Sequence, residues 1–215
     1  MPFTYEYPHP AVATDIAVFT LRRGALNVLL IERGAEPFRG DWALPGGFLQ
    51  PEEELDACAR RELREETSVD ADLLVHFGNF SAPDRDPRER VISVAYLALL
   101  PSDELRLQAD TDAAEARWFP IDALPPLAFD HALILKRALE ALGARAGQIA
   151  PLFALLPPRF TLSQLQAAYE AVLGEETEKR NFRKMVATLG CVRETEDFVH
   201  GAHRPARLYE PAAAA

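Results

Sequence analysis

Cysteine is scarce. Two residues, Cys58 and Cys191, in a chain of 215 are too few for a disulfide framework and fit a reducing compartment. Long apolar runs are missing as well: the longest, around Val94–Leu100, is strand-sized and far short of the ~20 residues a membrane helix needs, so no membrane contact is expected. The opening Met1-Pro-Phe-Thr-Tyr-Glu6 has no basic stretch followed by an apolar one, and no secretory signal is expected. A surplus of positive charge is also lacking. Lys and Arg number 23 against 33 Asp and Glu, a net −10 that gives the chain as a whole no pull toward nucleic acid. With 48% hydrophobic and 26% charged residues the composition excludes disordered and collagen-like chains. A cytoplasmic globular protein is expected.

The charge is unevenly placed. Residues 1–150 carry 15 basic and 25 acidic side chains, whereas residues 151–215 carry 8 of each, with His200 and His203 in addition. The last third therefore presents a different kind of surface. Gly143-Ala-Arg-Ala-Gly147 follows a helical pattern and Pro157-Pro158 precedes a new one, so a junction falls within residues 144–158. Two domains are expected, 1–146 and 147–215.

In the first part, Ala13–Leu21 and Asn27–Glu32 read as strands joined by a glycine-containing hairpin turn. A charged amphipathic helix is predicted from Glu52 to Thr67, then strands at Ala71–Phe80, Val91–Leu100 and Ala116–Phe119. A helix from Asp130, its N-cap, to Leu142 closes the series, with Leu133, Ile134, Ala138 and Leu142 at helical spacing. Hairpins mixed with helices imply an α/β layered domain on a mixed sheet.

On the helix 52–67, Leu55, Cys58, Ala59 and Leu63 project as the buried face, and Glu62 and Glu66 fall in the same arc with Glu65 at its edge. An ionised carboxylate on an inward face costs several kcal/mol without a partner. One reading is a divalent cation held by these oxygens, since such an ion shares carboxylates with substrate phosphates. The other is a solvated acidic face, which accounts for Asp56, Arg60 and Arg64 on the opposite side but not for Glu62 and Glu66.

Gly47, five residues, Glu53, seven residues, then Arg61-Glu62-Leu63-Arg64-Glu65-Glu66-Thr67-Ser68-Val69 resembles the Nudix box, G-x5-E-x7-R-E-U-x-E-E-x-G-U. Trp42-Ala-Leu-Pro-Gly-Gly47-Phe48 is similar to the family's preceding loop. Ser68 departs, standing where the family has the glycine that ends the helix in a left-handed turn, at a cost of up to roughly 1 kcal/mol. The resemblance implies a Nudix α/β/α sandwich and Mg²⁺- or Mn²⁺-dependent hydrolysis of a nucleoside diphosphate linked to another moiety. It further implies that Glu62, Glu65 and Glu66, with the Gly46 or Gly47 carbonyl, hold the metal, while Arg61 and Glu53 brace the helix. A base outside the box is open, with Glu115 and Asp112 as candidates beside their reading as surface carboxylates.

Asp84-Arg-Asp-Pro-Arg-Glu-Arg90 with Val91–Tyr96 is similar to the loop and strand of ADP-ribose-handling Nudix proteins. Arg85, Arg88 and Arg90 there suit phosphates or a terminal ribose. Phe38, Arg39 and Trp42 offer a stacking surface for adenine beside Gly46, with a core position for Trp42 equally open.

In the last third, Thr161-Leu-Ser-Gln164 reads as a capping box and Leu162, Leu165, Tyr169, Val172 and Leu173 as one apolar stripe ended by Gly174. A second helix, Glu178–Leu189, buries Phe182, Met185, Val186 and Leu189 and presents Arg180, Asn181, Arg183, Lys184 and Thr188. Strand-like arms Cys191–Thr195 and Ala206–Glu210 flank a segment holding His200, His203 and Arg204. Helix, turn, helix, hairpin is a winged helix-turn-helix order, and the cationic face occupies the recognition position. The segment Phe160–Tyr209 resembles the C-terminal domain of Nudix-related transcriptional regulators of NAD metabolism. That resemblance implies a homodimer with ADP-ribose in the Nudix domain and operator DNA on Arg180, Asn181, Arg183, Lys184, Thr188, His203 and Arg204. Many such regulators have lost box carboxylates; here they are present, so hydrolase competence is expected to persist. The alternatives are a working ADP-ribose pyrophosphatase whose C-terminal domain serves another contact, and a regulator answering to a sugar or sugar phosphate.

Overall fold

A computed structural model describes residues 6–7, 9–71, 73–101, 113–199 and 205–212. Strand β1, Ala11–Arg22, turns through Arg23 and Gly24 into β2, Ala25–Arg33. Both turn residues have positive φ, 53° and 80°, the twist a tight hairpin requires. Ile16 to Phe19 and Val28 to Leu30 are fully buried, so both strands bury their two faces. Two short strands, β3 (Trp42–Ala43) and β4 (Gly46–Phe48), pair antiparallel with β2 and β1. Strands β5 (Val75–Phe80) and β6 (Val91–Leu100) pair antiparallel with a bulge between His76 and Gly78. With β7, Ala113–Pro120, on β2, the sheet runs β3-β2-β1-β6-β5 with β4 added to β1.

Helix α1, Leu55–Thr67, buries Cys58, Ala59, Leu63 and Thr67. Ser68 ends it at φ 56°, ψ 24°, the left-handed conformation expected of the family's glycine, and its N–H donates to the Arg64 carbonyl. Helix α2, His131–Ala146, runs past Gly143 because Leu142 and Ala146 continue the stripe of Ile134, Leu135 and Ala138. Leu133, expected on that stripe, is instead half exposed.

After α2 comes a 3-10 turn, Ala150–Leu155, with Phe153 stacked on Phe160 at 5.4 Å. Helix α3, Leu162–Leu173, starts in a complete capping box: Gln164 N–H donates to Thr161 Oγ1, and Thr161 N–H donates to the Gln164 side chain. Helix α4, Lys179–Leu189, packs Phe182 against Tyr169, centroids 5.4 Å apart. Between them Glu170 accepts from Thr177 N–H at 2.9 Å and from the Gln166 amide, which itself donates to the Thr177 carbonyl. Strands β8 (Val192–Val199) and β9 (Ala206–Pro211) form an antiparallel hairpin, and Phe160 bridges Tyr209 across it. By compactness the residues to Val18, Val28–Ala98 and those ending at Ala138 form one unit, and Phe19–Asn27 group with Leu139 onward. Among the described residues no helix is long and apolar enough to cross a membrane.

Candidate functional site

Gly46 and Gly47 let β4 press against its neighbours. A Cβ on Gly46 would lie 2.0 Å from the Thr14 carbonyl, and one on Gly47 would lie 2.4 Å from the Glu62 carboxylate. The second clearance is what brings α1 to the loop. Arg61 then gathers the acids of α1. Its Nε and Nη2 donate to the two Glu53 oxygens at 2.8 and 2.9 Å, and its Nη1 donates to Glu62 at 2.6 Å and Glu65 at 3.2 Å. The Arg61 hydrogen bonds hold the Glu53 carboxyl down at about 2, whereas burial pushes Glu62 up. Glu66 accepts from the Gly46 N–H at 2.9 Å. Its burial, with Glu62 and Asp15 nearby, raises it to about 8.

Among the described residues no three His, Cys, Asp or Glu side chains converge as a metal cluster. Arg61 engages Glu62 and Glu65, while Glu66 is bound to the loop. The chemistry of the set still fits a hard divalent cation: Glu62 and Glu66 offer only oxygen donors, and burial disfavours their charge in a way a cation reverses.

Beside Glu66 opens a small, partly open cavity of about 70 Å³, walled by Asp15, Arg33, Arg85, Asp86, Arg88, Phe129 and His131. Arg85 is sunk in its wall with its side chain 4% exposed, donating to both Asp130 oxygens at 2.7 and 3.0 Å and to Asp15 at 3.2 Å. Ser93 donates to the same Asp15 oxygen. His131 Nδ1 accepts from the Leu44 N–H at 2.9 Å, and its Nε2 lies 3.4 Å from Asp15. Burial lowers His131 from its usual value, so the ring is neutral with its proton on Nε2, facing Asp15. Arg88 pairs with Asp86 through two hydrogen bonds at 2.7 and 3.0 Å. The Phe129 ring receives the Arg33 guanidinium at 4.6 Å and that of Arg88 at 5.6 Å.

Gly46, Arg85 and Arg88 line this cavity, but Phe38, Arg39 and Trp42 do not. Phe38 touches it only through Phe129, edge-on at 4.8 Å, and Arg39 is exposed. Trp42 packs on Phe119 at 4.6 Å with the Arg117 guanidinium over its ring, because β3 turns it away from the cavity. Glu115 is paired with Arg117 at 2.6 Å and lies off the cavity, while Asp112 falls outside the described residues. Sequence reasoning missed Asp15, Arg33, Asp86, Phe129 and His131 as wall residues. The one available signal was the acid Asp15 inside an otherwise apolar strand.

In the second unit Lys179, Arg180, Asn181, Arg183 and Lys184 are all exposed on α4, and its four cations make no ion pair among the described residues. Thr188 donates its hydroxyl to the Lys184 carbonyl. His203 and Arg204 lie outside the described residues. The arginines of the hairpin are already matched: Arg193 with Glu210, and Arg207 with Glu194. Among the described residues from Ala150 onward, positive charge without an ion pair therefore concentrates on α4.

A Nudix sheet with its carboxylate helix, followed by a winged helix, defines a ligand-pocket domain joined to a nucleic-acid-binding type of module. The chain belongs to the NUDIX domain family, which it matches over residues 9–142, and residues 152–210 match the NrtR DNA-binding winged helix domain. It is 37% identical over 208 residues to the ADPR responsive transcriptional repressor NtrR of Acinetobacter baylyi, covering 95% of this chain and 83% of that one. It is 42% identical over 130 residues to an ADP-ribose pyrophosphatase of Methanocaldococcus jannaschii, covering 60% of this chain and 73% of the relative. Shewanella oneidensis NrtR complexed with a 27mer DNA superposes with a TM-score of 0.81 at 29% identity, covering 94% of this chain and 93% of that one. Nudix hydrolases generally use divalent metals.

Proposed function

We propose that this protein is an ADP-ribose-responsive transcriptional repressor of NAD-related metabolism, with the ligand in the Nudix cavity and operator DNA on the winged helix. The observation that carries the reading is one chain holding both an arginine- and carboxylate-walled cavity beside the box helix and an exposed recognition helix whose cations make no ion pair among the described residues. The similarity to the Acinetobacter repressor along nearly the whole chain supports it. Arg180, Asn181, Arg183 and Lys184 contact the duplex, with His203 and Arg204 assigned to the wing; Thr188, its hydroxyl engaged within α4, contributes through its methyl group. The functional division falls near residue 146, the repressor works as a homodimer, and it resides in the cytoplasm.

Glu62, Glu65 and Glu66, with the Gly47 carbonyl, would hold Mg²⁺ or Mn²⁺, and Arg61 with Glu53 sets the position of α1. When bound, the cation neutralises pyrophosphate charge and acidifies a water. The protein's own groups do the rest: the buried Asp15–Arg85–Asp130 network fixes the cavity wall, and neutral His131 holds the Leu44 N–H in place.

A second reading, a working ADP-ribose pyrophosphatase, is favoured by the complete set Glu53, Arg61, Glu62, Glu65 and Glu66. Chromatography of ADP-ribose after incubation with Mg²⁺ separates the two. AMP release that vanishes in Glu65→Gln supports hydrolysis, whereas intact ADP-ribose leaves sensing alone. A gel shift of the chain's own upstream DNA at low salt tests the repressor; no shift would favour the enzyme.

A further inference from the structure

Three arginines line the Nudix cavity among the described residues, and their partners differ. Arg85 lies between Asp15 and Asp130 with almost no exposed surface, so its donors face carboxylates and its role is to tie β1 to the start of α2. Arg88 is bound by both oxygens of Asp86. Arg33 has no ion pair among the described residues. Its Nε donates to the Pro37 carbonyl at 2.9 Å and its Nη2 to the Ala35 carbonyl at 3.4 Å, both neutral acceptors, which leaves three of its five N–H groups for another partner.

Arg33 is also held at a fixed height. Its guanidinium lies 4.6 Å from the Phe129 centroid. Phe129 has φ 53° and its edge-on neighbour Phe38 has φ 66°, left-handed conformations that bulky aromatics rarely adopt. Backbone strain of that kind persists where the surrounding structure requires the side chain in one place. Here two such residues support one cation, and Arg88 contributes a second guanidinium to the same ring. Burial and the repulsion of Arg88 weaken the hold of Arg33 on its proton against the opposing attraction of Asp86, Glu66 and Asp41, none of which pairs with it directly.

We propose that Arg33, stacked on Phe129, is the phosphate-recognising arginine of the cavity, and that Arg85 is a structural tie. The inference rests on the nucleoside-diphosphate reading above. Glu66 lines the cavity on the cation side of such a ligand, and Arg33 supplies positive charge on its anion side.

Calorimetric titration of the full chain with ADP-ribose, in wild type and in Arg33→Gln, Arg33→Lys and Phe129→Leu, tests it, with thermal melting to confirm folding. Arg33→Gln weakens binding at least tenfold and flattens its salt dependence. Arg33→Lys, which keeps the charge and loses the loop hydrogen bonds, recovers most of the affinity, and Phe129→Leu falls between. Wild-type affinity in Arg33→Gln overturns the proposal alone. Equal losses in Gln and Lys overturn it too, reducing Arg33 to a loop brace. Failure of the wild type to bind ADP-ribose overturns the nucleoside-diphosphate reading and this proposal together.

Discussion

Replacing Glu66 by glutamine isolates the cost of a buried carboxylate beside the box loop. In the unfolded chain this carboxyl titrates near its ordinary 4.5, and in the fold near 8. Between those values the folded state keeps a proton that the unfolded chain has given up, so stability falls as pH rises and levels off above pH 8. At 1.36 kcal/mol per unit the full loss is about 5 kcal/mol, of which about 2.5 kcal/mol falls between pH 6 and pH 9. Glutamine stays neutral across this range, and its carbonyl can still accept the Gly46 N–H that Glu66 accepts at 2.9 Å. The assay is urea unfolding at both pH values in the presence of a chelator, followed by tryptophan fluorescence. Trp42 and Trp118, the two tryptophans of the chain, both belong to the first unit. The wild type should lose about 2.5 kcal/mol more than Glu66→Gln on going to pH 9. Adding Mg²⁺ at pH 9 should restore the wild type and leave the variant unchanged. Parallel losses in the two proteins would refute the assignment of Glu66 as the strained, cation-seeking acid.

Ser68→Gly should raise the unfolding free energy by about 0.5–1 kcal/mol, because the left-handed cap at φ 56° no longer carries a Cβ; denaturant melts measure it. Thr161→Ala should cost about 1 kcal/mol in the second unit through loss of the Gln164 N–H acceptor, read by hydrogen exchange in α3. Arg183→Ala should weaken binding to upstream DNA and lower the slope of log affinity against log salt by about one, checked by filter binding between 50 and 200 mM salt.

The parts of this molecule written in local spacing were legible. Glu62 and Glu66 share an arc of α1 with Leu63, and one turn of helix decides their burial. Thr161 and Gln164 are three residues apart, so their reciprocal cap can be read directly. The cavity wall was not legible, because Asp15, Arg85 and Asp130 meet only when strands and helix pack, across 115 residues of sequence. Nothing in the stretch around Phe129 signals that its ring will receive Arg33 from the end of β2. Trp42 was ambiguous for a related reason: β3 is two residues long, too short for periodicity to show which way a side chain faces. Helix α2 outran its expected end because buried Ala146 outweighs the propensity cost of Gly143.

Coupling of an ADP-ribose cavity to a DNA-binding helix within one chain requires the ligand to discriminate between DNA-bound and free forms. Fluorescence anisotropy of labelled upstream DNA, titrated with the full chain with and without saturating ADP-ribose, measures it directly. Salt-sensitive binding is expected, with a midpoint that moves about tenfold or more with ligand. Superimposable curves, or no binding at low salt, would contradict it.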